Sequence, residues 1–181
     1  MLALIVGCSG DDSAQNYPIP KKICGVEAKE SAVKPLLPPG GTLEEQSRAE
    51  VGETRDVGEQ CHVYVDREEY GNAKYLSISQ DREAEKSDAV VEADRGLHYR
   101  NLDSLQLGGP VTSAATGDEG ALVVMRCEST EAASSKYPYL VTEVGLGKWA
   151  LNPEDPTARR AHLQAFLRDY IPATAAAKCK Q

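Results

Sequence analysis

From Gln60 to Asp66 the chain reads QCHVYVD, and it alternates with a period of two. Cys61, Val63 and Val65 fall on one face; His62, Tyr64 and Asp66 fall on the other. Successive side chains of a strand point to opposite sides, so this pattern predicts a half-buried strand. The next stretch, AKYLSISQ, sets Leu76 and Ile78 against Tyr75, Ser77 and Ser79 and predicts a second strand. Gly71-Asn72 in the link suits a hairpin between the two. Farther on, ALVVMRCE is apolar almost throughout, which predicts a strand in the interior of a sheet, and YPYLVTEVGLG follows as its partner. The last element has a different period. Leu163, Phe166, Leu167 and Tyr170 recur on one helical face, with Asp155 placed to cap and Pro156 in the first turn. Pro172 is expected to end or kink that helix.

The remaining stretches carry weaker signals. Residues Glu27 to Leu37 suit a short helix broken by Pro35 and stopped by Pro38-Pro39-Gly40. Gly41 to Gln60 is polar and acidic and reads as a solvated loop, with TLEEQSRAE a candidate short helix. Glu83 to Arg95 reads as an exposed helix or a long loop, and LQLGGPVTSAATGDEG as a turn-rich stretch. The order is therefore short helix, hairpin, variable middle, hairpin, long helix. That order predicts an α+β fold: an antiparallel β-sheet with a long C-terminal helix packed on one face, stapled by disulfides.

Length and charge narrow the partners. The chain has 181 residues, which suggests one domain. Its formal net charge is -8, and Lys21-Lys22 and Arg159-Arg160 are isolated pairs rather than a basic block. A duplex binder needs a basic face to displace counterions, so nucleic acid is not an expected partner. No apolar run approaches the 18 or so residues of a membrane-spanning helix.

The N-terminus changes this picture. Leu4-Ile5-Val6-Gly7-Cys8 is a short greasy run, and Ser9 to Asn16 after it is polar. One reading is a lipoprotein signal whose cysteine thiol takes a diacylglyceryl group, with the chain cut before that cysteine. Ile5 stands at the aliphatic position and Gly7 at the small one, where a slim residue lets the backbone enter the peptidase. The basic start and most of the apolar core of such a signal do not precede it, which suggests a start codon upstream. The other reading is a buried edge strand with a plain core cysteine. The lipid reading divides the chain into 1–7, a signal remnant; 8–22, the lipidated Cys8 and a flexible tether; and 23–181, one extracytoplasmic domain.

Cysteine parity agrees with export. Of five cysteines, Cys8 would carry lipid and Cys24, Cys61, Cys127 and Cys179 would remain, an even number. Four allow three pairings; Cys24–Cys61 with Cys127–Cys179 joins neighbours in sequence order. The alternative is four unlinked core thiols. No C-x-x-C occurs, which argues against a zinc ribbon or a thioredoxin-like site.

Motifs for chemistry are weak. His62, His98 and His162 are never three or four residues apart, so they form no metal-ligand pair on a helix face. Ser31-Ala32-Val33-Lys34 matches S-x-x-K, but Pro35 breaks the helix at once, and Lys86-Ser87-Asp88 does not supply the missing partner motifs. Gly145-Leu146-Gly147-Lys148 lacks the phosphate-loop register, and Gly108-Gly109-Pro110 reads as a turn. Glu68-Glu69 and Asp118-Glu119 read as solvated charges. No catalytic residue, metal ligand or cofactor is assigned.

The whole resembles the small secreted lipoproteins of actinomycete-type bacteria. The resemblance rests on Ile5-Val6-Gly7-Cys8, IPKKICGV, LLPPGG, CHVYV and the cysteine after the Ala-rich C-terminal stretch. It implies a membrane attachment through lipid on Cys8 and a cell-envelope location. With no catalytic constellation, the expected function is a non-enzymatic binding or accessory domain of the envelope. The expected partner is an envelope protein, a polymer or a small amphiphile. An amphiphile would sit between the sheet and the stripe of Leu163, Phe166, Leu167 and Tyr170. An envelope hydrolase and a purely structural or assembly protein are the alternatives.

Overall fold

The computed structural model describes residues 17–50, 58–67, 71–127, 136–148 and 155–179. The lipid-site residues Ile5 to Cys8 and the pair Glu68-Glu69 lie outside them. Strand β1 (Lys22–Ile23) and β2 (Val26–Glu27) form a two-residue hairpin, followed by helix α1 (Glu30–Val33) and a 3-10 turn (Lys34–Leu36). Strands β3 (Leu43–Glu50), β4 (Gly58–Arg67) and β5 (Gly71–Glu83) follow, then helix α2 (Ala89–Arg95). Strands β6 (Asp103–Ser104), β7 (Val111–Thr116), β8 (Gly120–Arg126) and β9 (Tyr139–Leu146) lead to helix α3 (Pro156–Lys178).

Strands β3 to β9 make one seven-stranded sheet in the order β3-β4-β5-β9-β8-β7-β6, with every pair antiparallel. The α+β architecture expected from the sequence is present. The alternation in β4 is obeyed: Cys61, Val63 and Val65 are buried, and His62 and Tyr64 are half-exposed. Strands β4 and β5 pair antiparallel as expected, with a bulge between Val63 and Tyr64, but Gly71 and Asn72 already belong to β5, paired with Arg67 and Asp66.

Helix α3 lies on the face of the sheet that carries Val63, Ile78, Val123, Met125 and Val144, here called the inner face. Leu163, Phe166, Leu167 and Tyr170 have no exposed surface, and Phe166 stacks on Tyr170 with centroids 4.8 Å apart. Asp155 caps the helix by accepting from the backbone N–H groups of Thr157 and Ala158, both at 3.3 Å. On the outer face, α2 lies over β7 and β8, where its Ala89 and Ala93 pack on Ala115, Leu122 and Val124. Asp88 caps α2 through the N–H groups of Val90 and Val91.

Four expectations need correction. Residues 43–50 are neither loop nor helix but the edge strand β3, paired from Leu43↔Val65 to Glu50↔Gly58. Charged side chains on an edge keep it from pairing with another sheet, and they also erase the apolar signal. The turn-rich stretch contains β7, built from small residues whose burial reflects neighbours rather than their own hydrophobicity. Pro172 does not stop α3, which runs on to Lys178. The turns beyond the proline are anchored instead: Cys179 is bonded to Cys127, and Arg82 Nη2 donates to the Lys178 carbonyl at 2.6 Å. The chain is also packed before Ile23. Tyr17 is buried, its hydroxyl donates to the Pro38 carbonyl, and Ile19 touches the core, so a tether to residue 22 is too long.

Candidate functional site

The two disulfides are Cys24–Cys61 and Cys127–Cys179, the sequential pairing. The first fixes the β1–β2 hairpin to β4. Cys24 and Gly25 form that hairpin's turn, with φ of 52° and 76°. A two-residue turn with both φ positive matches the twist of its strands, and Gly25 adopts it freely while Cys24 does so under constraint. The second disulfide fixes the end of α3 to the end of β8.

The stripe expected to border a ligand pocket is core. Leu163, Phe166, Leu167 and Tyr170 are closed against the sheet, and the Tyr170 hydroxyl donates to the Ile23 carbonyl at 3.2 Å. Burial pushes the Tyr170 hydroxyl well above its ordinary value, and the Glu45 charge adds to this. Side chains of this size, packed into a solid layer, leave no seat for an amphiphile there.

The open surfaces lie elsewhere. On the outer face, Gly120 of β8 stands opposite Gly145 of β9 and leaves a slot without side chains. The Tyr99 ring fills it; a Cβ on Gly120 would collide with that ring and with the Val144 carbonyl. The Tyr99 hydroxyl donates to Glu143 Oε1 at 2.9 Å, and Ser79 donates to Oε2 at 3.4 Å. Burial and the Glu143 charge both push the Tyr99 hydroxyl pKa far up, so it stays a donor. Beside this pair is a cleft of about 410 Å³ between the sheet and α2. Leu122 and Val141 are among its apolar lining, and Asp81, Glu83, Glu92 and Glu143 supply acceptors. A second cavity, of about 220 Å³, adjoins the Cys24–Cys61 disulfide. A shallower apolar groove of about 790 Å³ runs along Pro110, Val111, Pro172 and Ala175 beside Cys179.

Asp118 departs from its expected solvated state. It is 3% exposed and receives Asn101 Nδ2 at 2.8 Å and the Arg160 guanidinium. Buried Arg159 donates to its carbonyl at 3.4 Å. Burial alone would raise the Asp118 pKa; the hydrogen bonds from Asn101 and Arg160 and the charges of Arg160 and Arg100 outweigh it and hold the carboxyl low. This network joins the β7–β8 turn to the first turns of α3. Its sequence signal was the doublet Arg159-Arg160 one helical turn after a cap, legible as charge but not as contact.

The three histidines do not share a site. His62 projects from the outer face of β4, His98 sits in the loop after α2 with φ of 56°, and His162 is on α3, against the inner face. Ser31 and Lys34 are both exposed. Gly108 and Gly109 take positive φ, as the turn reading requires. Among the described residues no group of three His, Cys, Asp or Glu is arranged to hold a metal ion, and no helix is long and apolar enough to cross a membrane. No family model, no curated protein and no solved structure matches the chain.

Proposed function

We propose that the chain is a lipid-anchored, extracytoplasmic domain that binds a component of the cell envelope and catalyses nothing. The two disulfides carry this reading. Such bonds persist in oxidising compartments, and here they tie both ends of a small domain to its sheet. Parity supports the rest: with Cys24, Cys61, Cys127 and Cys179 paired, Cys8 is the cysteine left over for lipid. The binding role is supported by an outer face that α2 covers on one side only and by cavities that offer hydrogen-bonding groups over apolar lining. An envelope protein or polymer suits those surfaces. A small amphiphile under the α3 stripe does not, because that layer is filled.

The test is the intact mass of the chain expressed in a bacterial host with its upstream coding region restored. The expected product is cut before Cys8, carries diacylglyceryl mass, and is four hydrogens lighter than the reduced protein. In-cell crosslinking then recovers an envelope component. An unprocessed chain with free thiols would overturn the location and the function with it.

A further inference from the structure

One residue that lines the cavity beside the Cys24–Cys61 disulfide carries an unexplained donor. Gln80 lines it, is 7% exposed, and its Nε2 is buried without a hydrogen-bond partner. Its register partner on β9 is Thr142, which has no exposed surface and an equally unpartnered Oγ1. Buried polar groups are almost always paired, so each exception points to a water or a guest. The terminal torsion of a glutamine is broad, so the amide can turn toward a guest without leaving its rotamer.

We propose that this cavity binds an acetamido group, R–NH–CO–CH3. The inference rests on the binding reading above and names the ligand class of one site. A free N–H donor calls for an acceptor. Ser47 and Glu59 alternate onto the inner face with Cys61 and Ile78, whereas Arg48 and Gln60 alternate to the outer face. Among the described residues, two charged ones line the cavity: Glu59, whose carboxylate is bridged to Lys178 at 2.6 Å, and Arg48. An anion would meet the Glu59 carboxylate, and a cation would meet the Arg48 guanidinium and the Gln80 donor. A neutral carbonyl meets neither conflict. Ile78 and the disulfide provide an apolar seat for the methyl group, and the Glu59 carboxylate or the Ser47 hydroxyl accepts from the amide N–H. The volume, about 220 Å³, is below the roughly 300 Å³ at which ordinary ligand pockets begin. It holds a substituent, with the body of the ligand passing out beside exposed Ser47.

The experiment uses the full oxidised chain with 15N-labelled glutamine. It is titrated with N-acetylglucosamine and with N-acetylalanine amide, and in separate arms with glucosamine and with acetate. The Gln80 side-chain resonances are expected to shift saturably with one or both acetamides, and at least tenfold more weakly with glucosamine and acetate. Preference between the two acetamides identifies a sugar or a peptide as the source. Gln80→Leu is expected to abolish the binding without lowering the melting temperature, because it removes a donor that the free protein leaves unpaired. No shift with either acetamide, equal binding of acetate, or binding retained in Gln80→Leu would overturn the proposal. A chain that is lipidated and crosslinked to the envelope yet blind to acetamides would overturn the ligand class alone; an unlipidated chain with free thiols would overturn the envelope reading instead.

Discussion

The wing of the sheet formed by β3, β4 and β5 and the wing formed by β9, β8, β7 and β6 carry one disulfide each, but they are covered differently. In the first, only the inner face is buried, so β4 alternates: Val63 and Val65 have no exposed surface while His62 and Tyr64 are half-exposed. In the second, α2 lies on the outer face as well, so Ala121, Leu122, Val123, Val124 and Met125 are all buried in succession. A strand's sequence thus reports how many of its faces are covered. The first wing keeps an open polar face and a cavity with an orphaned donor. The second puts its polar groups into a closed network around Asp118.

The largest test of that contrast is to cut each staple. The bonds span 37 and 52 residues, and the loop-closure model gives each about 4 kcal/mol, with a difference of only about 0.3. Cys24→Ala/Cys61→Ala and Cys127→Ala/Cys179→Ala should therefore lower urea stability almost equally. Their local effects should differ. Hydrogen exchange should speed at Ala175 to Lys178 only in the second variant, because that bond anchors α3 beyond Pro172. Equal exchange in both variants would mean that α3 holds its last turns unaided.

Next in size is Asp118→Asn, which leaves the Arg160 guanidinium without its buried partner. The expected loss is about 3 kcal/mol. Because the folded Asp118 carboxyl is held low, its stabilisation is complete above the unfolded value near 3.9 and disappears as pH falls through the lower folded value. The variant should lose that acid dependence, read as a flatter stability profile below about pH 4. A loss smaller than about 1 kcal/mol would place Asp118 with exposed ion pairs.

The outer faces themselves are compared by Val124→Ala and Tyr64→Ala. Val124 is fully enclosed by α2, so truncation should cost about 2 kcal/mol. Tyr64 is half-exposed, with its ring 6.1 Å from that of His62, so its truncation should stay below about 1 kcal/mol. Equal costs would show that the first wing is covered in solution by something its own chain does not supply.

These contrasts also explain what the chain discloses before folding. The inner face was legible because its apolar residues keep one period, two in β4 and 3.6 in α3, and the staples because parity and order constrain four cysteines. Edge strand β3 was not, since Glu44, Gln46 and Arg48 serve the solvent side and only Leu43 marks the core. Strand β7 hid for the opposite reason: Ala114 and Ala115 are buried, but their small side chains resemble a turn's. The cavities were beyond reach, because Gln80 looks like any polar residue at the end of a strand until Thr142 is placed beside it. The helical stripe was located rightly but suggested a pocket, because periodicity shows which residues face inward and not how completely they fill the space.

The smallest effect belongs to His62, and it separates the wings by pH. Burial lowers the His62 pKa, and the charges of Lys74 and Arg48 lower it further. A depressed histidine is easier to protonate unfolded than folded. Above the unfolded value near 6.5 neither state binds the proton, and His62 contributes no slope. As pH falls below that value the unfolded chain takes the proton first, so stability drops until the lower folded value is passed. His62→Gln should remove this slope while leaving stability at pH 8 nearly unchanged. The half-exposed site keeps the effect well under that of Asp118, whose window opens only near pH 4. Stability curves of the parent, His62→Gln and Asp118→Asn from pH 8 to pH 3 would resolve the two windows. A His62→Gln curve parallel to the parent's between pH 7 and pH 5 would mean that the ring titrates as if fully solvated.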